Sequence, residues 1–302
     1  MAIIQNFEQM TAHLATLGRR LRIAIVCGCD ESTLYAVARV MESKFADILF
    51  VGETERIRED ERIKASLDSF TFIEAEDGVD ASRKAVALVR EGKADILMKG
   101  LVNTDVLLRA VLDKETGVLP RGTVLTHLAV AQLANHPKLL FFTDAAVIPY
   151  PTQEQRMAQV DYAVKVCRAF GVETPRVSLL HCSEKVSDKF PHTLGYQDIV
   201  EEGKKGTFGE VIIDGPLDLR TSVDPVALHK KGIPSPLEGQ ADILVFPDIE
   251  AANMFYKTIT YFCEAEVAGM LQGAACPVVL PSRGDSGDNK YFSLAFAAMA
   301  VK

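Results

Sequence analysis

Leu21-Arg22-Ile23-Ala24-Ile25-Val26-Cys27 runs straight into Gly28-Cys29-Asp30-Glu31-Ser32-Thr33, and the junction between these two segments decides the architecture. The first is a near-continuous apolar run of strand length, the pattern of a strand covered on both faces. The second carries N-cap chemistry, and Leu34, Val37, Ala38 and Met41 follow it at helical spacing. A buried strand feeding a capped helix is half of a βαβ unit, and the alternation continues outward. Residues 47–51, 70–74 and 95–98 read as strands, with helical segments at 53–66 and 79–91 between them. Ala-Asp-Ile-Leu recurs at 46–49, 94–97 and 241–244, each time where a short turn feeds a buried strand. Such strands separated by helices imply an α/β fold with a parallel sheet covered on both faces.

Further along, the pattern predicts a helix over 153–170, a strand over 176–180, a polar helix near 192–204 and a strand over 210–213. A Pro-rich loop over 214–240, a strand over 241–246, a helix over 251–271 and a closing strand and helix over 277–301 complete it. Residues 123–130 and 139–142 read as consecutive strands. Ile148-Pro149-Tyr150-Pro151 then breaks regular structure, so a domain crossover is expected near 140–150.

The 302 residues suffice for one large domain or two ordinary ones, and 48% hydrophobic with 25% charged residues is a soluble globular balance. A net charge of −8 argues against a nucleic-acid partner. It leaves room for a local cluster of cations that holds a small anion. The six cysteines form no C-x-x-C pair and read as buried apolar residues in a reducing compartment, with no metal site. There is no leader pattern and no apolar run approaching the roughly 18 residues that span a bilayer. The expectation is a cytoplasmic protein with no membrane contact. Gly-x-Gly-x-x-Gly and Walker A patterns are absent, which weighs against dinucleotide and P-loop nucleotide sites.

Three segments follow predicted strands and carry chemistry. In Pro281-Ser-Arg-Gly-Asp-Ser-Gly-Asp-Asn-Lys290, Ser282 offers a hydrogen bond and Arg283 a fork for phosphate oxygens. Gly284 allows close backbone approach, and Asp285 or Asp288 either accepts a proton or caps the next helix. The competing reading is a capped turn with solvated charges. In Met98-Lys-Gly-Leu-Val-Asn-Thr104, Lys99 and Gly100 precede a helix start, an anion-cradling order; the plain alternative is a surface lysine and an Asn103 cap. Arg109, on the following helix, either faces the site or is solvated. Asp248, Asn253 and Lys257 follow a third strand, where a capping Asp and a surface Lys are the stronger reading. No two of the six histidines have helical ligand spacing, and His127 in its apolar strand would need a partner.

Taken in order, these segments resemble the phosphate acetyl/butyryl transferase family over nearly the whole chain. The likeness runs through 22–26 with Asp30-Glu31, Met98–Thr104, Leu108-Arg-Ala-Val-Leu112, Leu125-Thr-His-Leu-Ala129 and Phe142-Thr-Asp-Ala-Ala146. It continues through Ile213-Asp-Gly-Pro-Leu217, 241–251 and Leu271-Gln-Gly-Ala274, and ends in Ser282-Arg-Gly-Asp-Ser286. The details Lys-Gly-Leu-Val and Glu-Ala-x-Asn look closer to the butyryl branch.

The resemblance implies two α/β domains with a central cleft, similar to the isocitrate/isopropylmalate dehydrogenase fold. It places domain I at 1–140 plus 273–302 and domain II at 141–272. It implies the reaction acyl-CoA + phosphate = acyl phosphate + CoA by direct transfer in a ternary complex, and a homodimer. CoA enters as substrate, with no permanently bound cofactor. Ser282 and Arg283 would act at the reacting group and Asp288 as base. Lys99, Gly100, Thr104, Arg109, Thr126, His127, Asp144, Asp248, Asn253, Lys257, Gly284 and Asp285 would contact substrate. Two departures stand out: the acetyl branch has its base seven positions after the serine, where this chain has Asn289, and Ala252 stands where the family often has Gly. Asp288 with a one-residue loop shift and Asp285 therefore both remain candidates for the base. An NAD- and metal-dependent dehydrogenase of the same fold and a non-catalytic acyl-CoA or phosphate-binding protein are the alternatives.

Overall fold

The computed structural model describes residues 2–282 and 284–301. They form two compact units. One covers Phe7–Leu125 and regains the chain from Val267 onward; the other covers Thr126–Glu266 with the N-terminal residues up to Asn6.

The chain opens with α1 (Phe7–Thr16), β1 (Leu21–Val26), α2 (Glu31–Ser43) and β2 (Ala46–Gly52). The short helices α3 (Glu55–Arg58) and α4 (Glu61–Lys64) precede β3 (Phe70–Glu74), α5 (Gly78–Arg90), β4 (Ile96–Lys99) and α6 (Thr104–Leu112). The second unit holds β5 (Thr126–Gln132), β6 (Leu140–Thr143), α7 (Gln153–Ala169), β7 (Arg176–Leu180), α8 (His192–Lys204) and β8 (Ile212–Leu217). It continues with α9 (Leu219–Val223), α10 (Pro225–Lys231), β9 (Ile243–Val245) and α11 (Ile249–Phe262). The chain then returns through β10 (Glu266–Gln272), β11 (Val278–Val279) and α12 (Gly287–Ala300).

Strands of the first unit follow the order β3-β2-β1-β4-β11-β10, all parallel except β10, which runs antiparallel to β11. Those of the second follow β5-β6-β9-β7-β8, with only the β5–β6 pair antiparallel. β1 sits between two parallel neighbours, which is why its run is apolar on both faces. Its register pairs Val26 with Lys99, and that of β11 pairs Val279 with Met98. The loops after β1, β4 and β11 therefore open at one end of one sheet.

Behind them stands α12, buried continuously from Lys290 to Met299. Its Phe292 stacks on Phe7 with ring centroids 4.6 Å apart. A fully buried side chain of this kind stabilises by about 1.5–3 kcal/mol, so α12 is a rigid support for the loop before it.

Several expectations need correction. The helix expected over 251–271 ends at Phe262, and Glu266–Gln272 is strand β10. Glu264, at φ 48°, turns the chain between them. The loop expected over 214–240 contains α9 and α10, capped by Asp218 and Asp224. The helix expected over 53–66 is two single turns. The unit boundary falls at 125/126 rather than near 140. The β5–β6 ladder, with Ala129 opposite Phe142, keeps residues 126–140 within the second unit. Of the cysteines, Cys167 and Cys276 are buried, but Cys182 and Cys263 are exposed. No helix among the described residues is long and apolar enough to cross a membrane.

Candidate active site

A cavity of about 590 Å³ lies where the loops after β1, β4 and β11 open. Asp30, Lys99, Ser282, Asp288 and Lys290 all line it, with Tyr35 and Arg62. Three strand ends and the starts of α2 and α12 thus converge, as ligand sites do at the carboxyl ends of open α/β sheets.

Gly100 is dictated by packing. A Cβ there would lie 2.3 Å from the Cys27 carbonyl oxygen and 2.7 Å from Gly28 Cα. The Leu101 N–H donates to that same carbonyl at 2.8 Å, locking the β4–α6 loop against the β1–α2 loop. Lys99 is consequently buried, and its Nζ donates to the Gly100 carbonyl at 3.0 Å.

Asp30 caps α2 by accepting from the Thr33 N–H at 3.0 Å. It also accepts from Lys290 Nζ at 2.7 Å, Thr33 Oγ1 at 2.7 Å and Ser32 Oγ at 2.9 Å. Burial by itself would push its carboxyl upward, but the hydrogen bonds from Lys290, Thr33 and Ser32 prevail and hold it at about 2. Asp288 accepts from Arg39 Nη1 and, at 3.3 Å, from the Tyr35 hydroxyl. The Arg39 guanidinium in turn lies over the Tyr291 ring, 4.1 Å from its centroid. Gly287 allows Tyr35 this position, since a Cβ there would lie 2.2 Å from the ring.

Asp285 serves its own loop: its Oδ2 accepts from the Ser282 N–H at 2.7 Å, and its N–H donates to the Ser282 carbonyl at 3.2 Å. Ser282 is exposed, and nothing lies within 4 Å of where a Gly284 Cβ would sit. Arg283 lies outside the described residues. On α6, Thr104 is the first helical residue, and Arg109 is exposed and paired with Asp105 at 3.2 Å. Neither lines the cavity.

In the other unit, Asp144 is a buried node. Its carboxylate accepts from Thr126 Oγ1 at 2.7 Å and from the N–H groups of His127, Ala146, Val147 and Ile148 at 2.9–3.2 Å. His127 Nδ1 is buried with no partner among the described residues. Burial holds this imidazole below its ordinary value, against the pull of the Asp144 carboxylate. Asp248 caps α11 through the Ala251 N–H at 2.8 Å, and Asn253 donates to the Ala145 carbonyl at 3.0 Å. Lys257 is exposed, 4.8 Å from the centre of the Tyr256 ring.

The strand-end reading therefore finds Lys99, Gly100, Ser282 and Asp288 in one cavity. It missed Lys290, Tyr35 and Arg62, which line the same cavity, and Arg39, which pairs with Asp288. Lys290 had a local signal, a cation at the head of an apolar helix. The others sit on helix surfaces with nothing in their neighbours to mark them.

Residues 69–298 match the family model described as "Phosphate acetyl/butaryl transferase". The chain is 36% identical to the phosphate butyryltransferase of Clostridium beijerinckii over 298 residues, 98% of each chain. It is 33% identical to the phosphate acetyltransferase of Thermotoga maritima, over 93% of this chain and 96% of that one. The crystal structure of a branched-chain phosphotransacylase from Enterococcus faecalis superposes with a TM-score of 0.82 at 29% identity, covering 93% of this chain and 99% of that one. At 12% identity and a TM-score of 0.51, the 4-hydroxythreonine-4-phosphate dehydrogenase of Klebsiella pneumoniae shares the fold alone, over 94% of this chain and 100% of that one.

Proposed function

The chain belongs to the phosphate acetyl/butyryl transferase family, and on that footing we propose that the cavity behind Ser282 is where an acyl group passes between coenzyme A and inorganic phosphate. The protein is a phosphate acyltransferase, acting in acyl-CoA + phosphate = acyl phosphate + CoA. The observation that carries the site is the convergence of buried Lys99 with Ser282 and Asp288 on one cavity at the strand ends.

In the direction of acyl-CoA synthesis, Asp288 takes the proton of the CoA thiol. The sulfur attacks the carbonyl carbon of the acyl phosphate, the carbon–oxygen bond to phosphate breaks, and phosphate leaves. A thiol with an ordinary pKa near 8.5 is only a few per cent ionised at neutral pH, which is what a positioned base remedies. Lys99 and Arg283 hold the phosphate, and Ser282 donates to the reacting centre. Gly284 leaves the backbone open to an anion. Asp288 is preferred to Asp285 as base because Asp285 is engaged in closing its own loop. Thr104, Arg109, Thr126, His127, Asp144, Asp248, Asn253 and Lys257 are proposed as substrate contacts or their support.

The acyl group is proposed to be short, butyryl in the first instance. The fold is proposed to be of the isocitrate/isopropylmalate dehydrogenase type, for which the distant dehydrogenase likeness is the support. A cytoplasmic homodimer is the proposed state.

The test is release of free CoA thiol from acetyl-, propionyl-, butyryl- and longer acyl-CoA with and without phosphate. Phosphate-dependent release that collapses in Arg283→Ala supports the reading and ranks the chains. Release that ignores phosphate overturns it.

A further inference from the structure

A second constellation of nucleophilic type stands at the carboxyl end of β7, around residues that the acyl transfer above does not use. Cys182 Sγ lies 3.6 Å from Nε2 of His181. Nδ1 of that imidazole lies 3.2 Å from Nε2 of His192, the first residue of α8. Phe190 packs edge-on against the His181 ring with centroids 4.6 Å apart, so the ring cannot swing freely. His181 is only 9% exposed, whereas Cys182 is open to solvent.

The protons sort themselves. Burial lowers the basicity of both imidazoles, and for His192 the neighbouring His181 and Arg156 lower it further against the pull of Asp248. A neutral His181 with its proton on Nδ1 donates to His192 and turns the Nε2 lone pair toward the thiol. This is the order nucleophile, base, orienter that activates cysteine in enzymes. Among the described residues no group of three His, Cys, Asp or Glu is arranged to hold a metal ion, so the cluster is not explained as a metal site.

We propose that Cys182 is a second nucleophilic site that accepts an activated acyl group, with His181 taking its proton and His192 fixing His181. The sulfur attacks the carbonyl carbon of the donor, and a thioester to Cys182 forms. The bond to the leaving group breaks, and phosphate departs from an acyl phosphate, or CoA from an acyl-CoA, taking up the proton from His181. This choice of electrophile rests on the proposed function, whose turnover keeps both donors in contact with the protein. The test supplies the donors ready-made, so the two readings fail separately.

The whole protein is incubated at neutral pH with butyryl phosphate or with butyryl-CoA, and the adducts are located by peptide mass spectrometry. Cys263 is the internal reference, being the other exposed thiol. The expected result is a hydroxylamine-labile acyl adduct on Cys182 at about tenfold or more the level on Cys263, from one donor or both, which identifies the source. His181→Gln brings Cys182 down to the level of Cys263, and His192→Gln lowers it part of the way. Cys182→Ser removes the adduct and leaves phosphate-dependent CoA release unchanged. Equal labelling of Cys182 and Cys263, labelling indifferent to His181→Gln, or no adduct from either donor overturns the proposal.

Discussion

Lys290 Nζ lies 2.7 Å from Asp30 Oδ1 and 2.9 Å from Thr33 Oγ1, pinning the first turn of α12 to the cap of α2 across 260 positions of chain. Lys290 is almost wholly buried, so its charge cannot turn to water without moving α12, whereas Asp30 lines the cavity. Removing Asp30 leaves the Lys290 charge buried and uncompensated, a loss of about 3–5 kcal/mol, whereas Asp30 without Lys290 keeps its Thr33 and Ser32 donors. Asp30→Asn is therefore expected to lower the free energy of unfolding by that amount in denaturant titration at neutral pH. Asp30→Asn with Lys290→Met should recover part of the loss. A single variant as stable as the parent would mean that the pair does not support the site.

The same contact predicts an acid response. Asp30 is held at about 2, below its ordinary 3.8. A carboxyl depressed on folding stabilises the folded state above its unfolded value and ceases to do so as the pH falls through its folded value. The contribution is present at neutral pH, reduced by solvent screening at the cavity mouth, and fades between about pH 4 and pH 2. Unfolding measured across that window should show a steeper decline for the parent than for Asp30→Asn. Parallel curves would exclude Asp30 as a source of acid sensitivity.

Much of this arrangement is legible in the sequence. The strand Leu21–Val26 and the cap at Asp30 announce a βαβ start, and the Lys99 and Ser282 segments follow strand ends. Strand β10 was missed for a physical reason. Val267, Ala268, Met270 and Leu271 include good helix formers and follow a true helix, and no Gly or Pro marks the turn at Glu264. The caps Asp218 and Asp224 were visible, the second followed by Pro225, but a Pro-rich composition hid two short helices. Asp288's partners were out of reach of any local pattern, because Tyr35 and Arg39 come from the other end of the chain.

The choice between the two carboxylates can be made kinetically. Asp288 faces the cavity beside Tyr35 and Arg39, whereas Asp285 secures the Ser282 N–H. Asp288→Asn is expected to lower kcat about 10²- to 10⁴-fold with KM for phosphate little changed. Asp285→Asn is expected to cost about 1 kcal/mol of stability and a smaller part of kcat, since it loosens the loop without removing the proton acceptor. The reverse ranking in CoA-release kinetics would assign the base to Asp285.

Two glycines separate packing from substrate approach. At Gly100 a Cβ meets backbone, the Cys27 carbonyl at 2.3 Å, so Gly100→Ala must displace the β4–α6 loop. Such overpacking costs about 1–3 kcal/mol, and Lys99 moves with the loop, so stability and turnover are expected to fall together. At Gly284 a Cβ meets nothing within 4 Å, so Gly284→Ala should leave stability within about 0.5 kcal/mol. If phosphate rests against that backbone, its KM rises while the denaturation midpoint stays put, because the methyl group occupies the approach without touching the fold. Unchanged kinetics in Gly284→Ala would place the phosphate elsewhere in the cavity and leave Lys99 as its principal anchor.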